Sequence, residues 1–148
     1  MLDLDNIMKM WKEDSVIDSN NLDEASMQTP TLHAKYLEMY NVAKIKLRRA
    51  EADQKVLLRD KWSWYNGKMS KEQIDEKGWD YDPLNGLKVL KGDMDYFYDS
   101  DPDIRASEDK VVYWRTVNEC LKEIIDNIKW RSNTIKNIID WRRFESGG

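Results

Sequence analysis

Apolar residues recur at helical spacing along most of the chain and predict an all-α fold built around two long helices. Leu4, Ile7, Met8 and Trp11 share one face of a short amphipathic helix over residues 3–13, after which Val16-Ile17-Asp18-Ser19 breaks the period. Leu22 to Met27 predicts one further turn or two. Thr29-Pro30 reads as a helix start, with Thr29 as N-cap and Pro30 in the first helical position, where no backbone N–H is needed. Leu32, Tyr36, Leu37, Met39 and Tyr40 then lead without a breaker to Trp64, predicting one long helix over about residues 30–64 that ends at the turn signal Asn66-Gly67.

Residues 66–106 lack such a period. Ser70-Lys71-Glu72-Gln73 reads as a capping box opening a short helix to about Lys77. Leu87 to Phe97 reads as another short helix, within a loop region punctuated by Gly78, Pro83, Gly86, Gly92 and Pro102. Ser107, followed by Glu108 and Asp109, opens the second long helix, over about residues 108–144, its acids suiting the dipole of the first turn. Along it Trp114, Val117, Leu121, Ile124, Ile128, Ile135 and Ile138 keep a 3-4 spacing, with Arg131 the one polar residue in register. An isoleucine-rich seam of this length reads as an oligomerisation surface for more than two strands. Val111, Ile125, Ile139 and Trp141 add apolar surface beyond it, which favours a homo-oligomer. The chain thus reads as a single domain, 1–148, composed of a basic helix (30–68), an acidic irregular connector (69–106) and an oligomerisation helix (107–148).

Charge singles out the first long helix. From Lys44 to Lys68 there are eight basic residues against three acidic ones, although the whole chain carries a net charge of -4. At 100° per residue Lys44, Arg48, Lys55 and Arg59 fall within about 60° of one another, forming a basic stripe. Val42, Ile45, Ala52 and Val56 flank it on one side, and Leu47, Ala50, Leu57 and Leu58 on the other. Trp62, Trp64 and Tyr65 set flat rings beside the charge. A cationic track with a stacking platform is what sequence-tolerant binding of single-stranded nucleic acid requires. The candidate DNA-binding set is therefore Lys44, Arg48, Lys55, Arg59, Lys61, Trp62, Trp64 and Lys68. The plainer reading is a solvated basic face with the tryptophans in the core.

Composition narrows the chemistry. Charged residues make up 35% of the 148, and mean hydropathy is -0.82. Seven Trp and seven Tyr argue against disorder, while three Pro and six Gly favour long helices. His33 and Cys120 are the only residues of their kinds, so one chain can build no zinc site, disulfide or Cys-His dyad. No glycine-rich phosphate loop is present. Asp99, Asp101 and Asp103 superficially begin a calcium loop, but Pro102 intrudes and Lys110 stands where glutamate is needed. Asp80, Asp82, Asp93 and Asp95 would suit a carboxylate-and-magnesium nuclease but lack a basic catalytic partner. No catalytic residue, metal or cofactor is expected. No apolar run approaches the roughly 18 residues of a membrane span, and the opening MLDLDNIMKMW has acids where a signal peptide is basic, so a cytosolic protein is expected.

Three stretches carry a further signal. The first is Lys12-Glu13-Asp14 with Val16-Ile17-Asp18-Ser19, leading to Leu22. The second runs from Arg48-Arg49-Ala50-Glu51-Ala52 through Lys55-Val56-Leu57-Leu58-Arg59-Asp60-Lys61 to Tyr65-Asn66-Gly67-Lys68. The third is Ile135-Lys136-Asn137-Ile138-Ile139-Asp140-Trp141-Arg142-Arg143-Phe144-Glu145. In order and approximate spacing they resemble the UvsY family, the recombination mediator proteins of tailed bacteriophages, over nearly the whole chain. The resemblance implies a non-enzymatic assembly factor in the cytoplasm of the infected bacterium. Such a factor forms hexameric or heptameric rings, binds single-stranded DNA, and loads a RecA-like recombinase onto strands covered by the phage single-strand-binding protein. The family's DNA-binding motif maps onto Arg59 and Lys61, with Lys55 upstream, and its oligomerisation segment onto Ile124 to Phe144. Arg59 stands where lysine is frequent and Lys61 where arginine is frequent, which keeps charge but not geometry. The acidic segments 3–24 and 93–103 are expected to touch the protein partners. The rival reading is a helical scaffold without DNA binding, its basic stripe paired with the acidic 93–103 loop of a neighbour.

Overall fold

The computed structural model describes residues 2–147. It contains five helices: α1 (Leu4–Asp14), α2 (Leu22–Tyr65), α3 (Lys71–Lys77), α4 (Met94–Ser100) and α5 (Pro102–Glu145). Among the described residues there is no strand, and no helix is long and apolar enough to cross a membrane. The chain folds as two compact units. One takes in the chain up to Leu47 and again from Trp114 onward; the other is Arg48–Tyr113. The unit boundaries therefore fall inside α2 and α5, away from the turns that separate segments in the sequence.

In the first unit, Ile7 of α1, Tyr36 and Ala43 of α2, and Val117, Leu121, Ile124, Ile125 and Ile128 of α5 form one buried cluster. The apolar seam of α5 is thus turned inward. Val117, Leu121, Ile124 and Ile128, expected to meet other subunits, instead pack against α1 and α2 of their own chain. Ile135 is also buried, and Trp114 and Ile138 are half-buried. The periodicity marks a face that must be covered, and α2 with α1 supplies the cover.

Polar groups pin this packing. The Asn118 side-chain amide donates to the carbonyl oxygens of Ala43 (3.0 Å) and Trp114 (2.7 Å). The Tyr36 hydroxyl donates to Asp14 Oδ2 at 2.8 Å, Lys35 Nζ reaches the same oxygen at 2.7 Å, and Trp11 meets the Tyr36 ring edge-on at 5.5 Å. Burial alone would raise the Asp14 carboxyl, but these two donors outweigh it and hold it below the ordinary carboxylate range.

Both long helices begin earlier than the sequence signals suggest. Pro30 lies inside α2, eight residues past its start, and the Thr29 hydroxyl donates back to the Ala25 carbonyl (3.3 Å) instead of capping. Asp23 and Glu24 occupy the first turn, where the dipole favours acids. At α5 the proline rule does hold, but at Pro102. Asp101 caps the helix, its Oδ1 accepting from the N–H groups of Asp103 (2.9 Å) and Ile104 (3.1 Å). Ser107 sits within the helix and donates to the Ile104 carbonyl at 2.7 Å.

In the second unit α2 ends as expected. Gly67 adopts φ 69°, which lets the N–H groups of Lys68 and Gly67 reach back to the carbonyls of Ser63 (2.8 Å) and Trp64 (3.2 Å). The capping box of α3 is present, with Ser70 and Gln73 bonded reciprocally. The short helix expected over 87–97 is displaced: Gly92 at φ 94° interrupts the chain and α4 starts at Met94. Ala50, Ile74, Ile104 and Val111 are the buried apolar residues of this unit.

Candidate nucleic-acid interface

Lys44, Arg48, Lys55 and Arg59 are all exposed along α2. Lys44 Nζ lies 4.7 Å from the Tyr40 ring centre. Arg59 contacts Asp60 at 3.2 Å, but its side chain remains 73% exposed, so the pair is weak and the guanidinium faces water. The two apolar flanks differ. Ala50 is buried and Leu47, Leu57 and Leu58 are half-buried, whereas Val42, Ile45 and Val56 remain exposed. At the end of the helix Trp62 is also exposed, with Lys68 Nζ 4.7 Å from its ring centre.

Lys61 departs from the expected set. It is only 2% exposed and its ammonium lies 3.1 Å from Asp101 Oδ2 and 2.8 Å from Asp103 Oδ2. The same ammonium sits 4.4 Å from the Trp64 ring centre and 4.0 Å from that of Trp79. Asp101, Asp103, Trp64 and Trp79 all belong to the same unit, so Lys61 is placed to hold that unit together. Trp64 is similarly engaged. Its indole N–H donates to the Asp80 carbonyl at 2.7 Å, and its ring packs at 5.1 Å from Trp79 and 4.7 Å from Tyr65. Of the expected stacking platform, Trp62 alone keeps an open face.

The carboxylate opposite Lys61 carries three roles. Besides capping α5 and pairing with Lys61, Asp101 accepts the Tyr65 hydroxyl at 2.6 Å. Burial would raise the Asp101 carboxyl, yet the donors Tyr65, Ile104 N–H and Lys61 outweigh it and keep it below the ordinary range. The Tyr65 phenol is pushed upward, first by burial and then by donating to that anion. Asp101, expected to serve a partner protein, is thus committed internally, whereas Asp103 pairs with Lys61 but keeps a side chain 54% exposed. Nothing in the charge count reveals this, but Asp101-Pro102 carries the same cap-then-proline signal as Thr29-Pro30 and points to a structural aspartate. Among the described residues no group of three His, Cys, Asp or Glu side chains is placed to hold a metal ion.

The family model described as "Recombination, repair and ssDNA binding protein UvsY" matches residues 10–148. The chain belongs to the UvsY family. It is 27% identical over 144 residues to the recombination protein uvsY of Enterobacteria phage T4, covering 97% of this chain and 98% of that protein. The fold agrees as well. One crystal structure of the bacteriophage T4 recombination mediator protein UvsY (lattice type II) superposes with a TM-score of 0.82 at 25% identity, covering 97% of both chains. Another (lattice type I) gives 0.81 at 26% identity, covering 95% of this chain and 98% of that one. Within this UvsY-family fold, the exposed cations of α2 and Trp62 face water, while Lys61 is buried and Trp64 is half-buried against Trp79 and Tyr65.

Proposed function

We propose that this chain is a recombination mediator. It binds single-stranded DNA along α2 and loads a RecA-like recombinase onto strands covered by single-strand-binding protein, in the cytoplasm of an infected bacterium. The observation that carries this reading is the UvsY family match across residues 10–148. The exposed stripe is consistent with it: Lys44, Arg48, Lys55 and Arg59 meet phosphates, and Trp62, beside Lys68, offers a ring for a base.

The work is binding and competition, without covalent chemistry. Each subunit offers a few weak phosphate contacts, and a hexameric or heptameric ring multiplies them by avidity. Its interfaces use apolar residues that the subunit leaves exposed, namely Val42, Ile45 and Val56 on α2 and Trp130, Trp141 and Phe144 on α5. A strand held across several subunits is gripped less firmly by the single-strand-binding protein and is presented to the recombinase. Exposed acids, with the buried Asp101 excluded, are the groups left for those protein partners. The scaffold alternative needed the 93–103 acids to reach a neighbour's stripe, and the pairing of Asp101 and Asp103 with Lys61 weakens it.

The direct test follows recombinase filament formation on strands precoated with single-strand-binding protein. Addition of this chain shortens the lag. A lag unchanged at saturating concentrations contradicts the mediator assignment.

A further inference from the structure

Within the first unit, one face of α2 and one face of α5 line a groove of about 460 Å³. On the α2 side, Leu37, Tyr40 and Lys44 follow one another at helical spacing from His33; on the α5 side Lys122, Ile125 and Lys129 do the same. Three lysines therefore line the groove beside the apolar Leu37, Tyr40 and Ile125. One carboxylate, Asp126, opposes them, 3.9 Å from Lys129 in a pair whose side chains are 63% and 56% exposed, too solvated to neutralise the groove. Lys44 is the first cation of the α2 stripe. Lys122 and Lys129 stand out in no sequence pattern, because they lie on the polar side of a helix read for its apolar seam.

We propose that this groove is a second contact site for single-stranded DNA, with Lys122 and Lys129 of α5 binding phosphates opposite Lys44. The proposal rests on the single-strand-binding reading above. Lysines beside apolar and aromatic side chains match a ligand that offers phosphates and bare base faces together. A single strand does so, whereas a duplex buries its base faces in the stack. The groove follows α2 for about 16 Å at 1.5 Å per residue, long enough to orient a segment of strand and not merely attract it.

The test uses the full-length protein and a fluorescein-labelled oligo-dT followed by anisotropy over a range of salt. Lys122→Gln with Lys129→Gln removes two phosphate contacts and makes the log–log salt slope shallower by about 1.4, while helicity and oligomer mass stay at wild-type values. Unchanged affinity and slope, with the wild type binding normally, overturn the groove but leave the proposed function standing. A wild type that does not bind the oligonucleotide overturns both. If affinity for a duplex of equal length falls by the same factor, the groove is a general polyanion surface and the single-strand assignment is overturned. If DNA binding is untouched but recombinase loading is lost, the groove docks a protein, and the proposal is equally overturned.

Discussion

Lys61 and Asp101 form a buried ion pair, 3.1 Å between Nζ and Oδ2, with side chains only 3% and 1% exposed. Two residues before Lys61 on α2, Arg59 keeps a side chain 73% exposed. Two cations a fraction of a turn apart on α2 thus stand in opposite environments. Lys61→Ala leaves Asp101 buried without its cation and costs about 3–5 kcal/mol. Arg59→Ala leaves stability within about 0.5 kcal/mol and makes the salt slope for single-stranded DNA shallower by about 0.7. Urea unfolding beside salt-dependent binding separates the two. Wild-type unfolding of the Lys61 variant contradicts its internal role.

The same pair sets an acid limit. The folded Asp101 carboxyl titrates below its unfolded value of about 3.9, so its contribution is present above that pH and is lost as pH falls through the folded value. Asp14 adds a similar limb in the other unit. Asp101→Asn therefore removes part of the acid dependence of unfolding, not all of it. Tyr65 has the opposite sign: its raised phenol stabilises fully below about pH 10 and less as pH climbs toward the folded value. Tyr36 and Tyr98 are raised as well, so Tyr65→Phe removes part of the alkaline loss of stability above pH 10, measured by circular dichroism.

Inward and outward apolar residues of α5 respond differently to truncation. Leu121→Ala or Ile128→Ala opens a cavity in the cluster with Ile7 and Tyr36 and costs about 2–5 kcal/mol. Trp141→Ser with Phe144→Ser, at stacked exposed rings 5.5 Å apart, leaves subunit folding nearly intact but lowers the mass of the proposed ring. Sedimentation and thermal unfolding read the two effects. Folded, dissociated subunits from Leu121→Ala would restore the seam to an intersubunit role.

Pro30 removes one backbone hydrogen bond from the interior of α2. Pro30→Ala restores it and stabilises the helix by roughly 1–3 kcal/mol, seen as slower amide exchange around Ser26. Unchanged or faster exchange there shows that the helix has already accommodated the proline without loss.

The helices were legible because their apolar period is strong: α1 ends within a residue of expectation, and Asn66-Gly67 and the Ser70 capping box act locally. The starts of α2 and α5 were not. Thr29-Pro30 and Asp101-Pro102 carry the same signal, and what separates them is tertiary. Ala25 is buried, so the chain before Pro30 has something to pack on and stays helical. Periodicity likewise shows that the α5 seam must be covered without saying by whose residues. The burial of Lys61 escapes the sequence for the same reason, since a local count of charges is blind to Asp101 and Asp103 some forty residues away.

The most direct measurement of the central claim is anisotropy of a labelled oligo-dT titrated with this protein from low to moderate salt, without magnesium. Four phosphate contacts, from Lys44, Arg48, Lys55 and Arg59, predict a log–log slope of about -2.8 for each engaged subunit, steeper where the α5 groove contributes. Absence of binding at low salt, with the protein folded and assembled, contradicts the account and puts the scaffold reading in front.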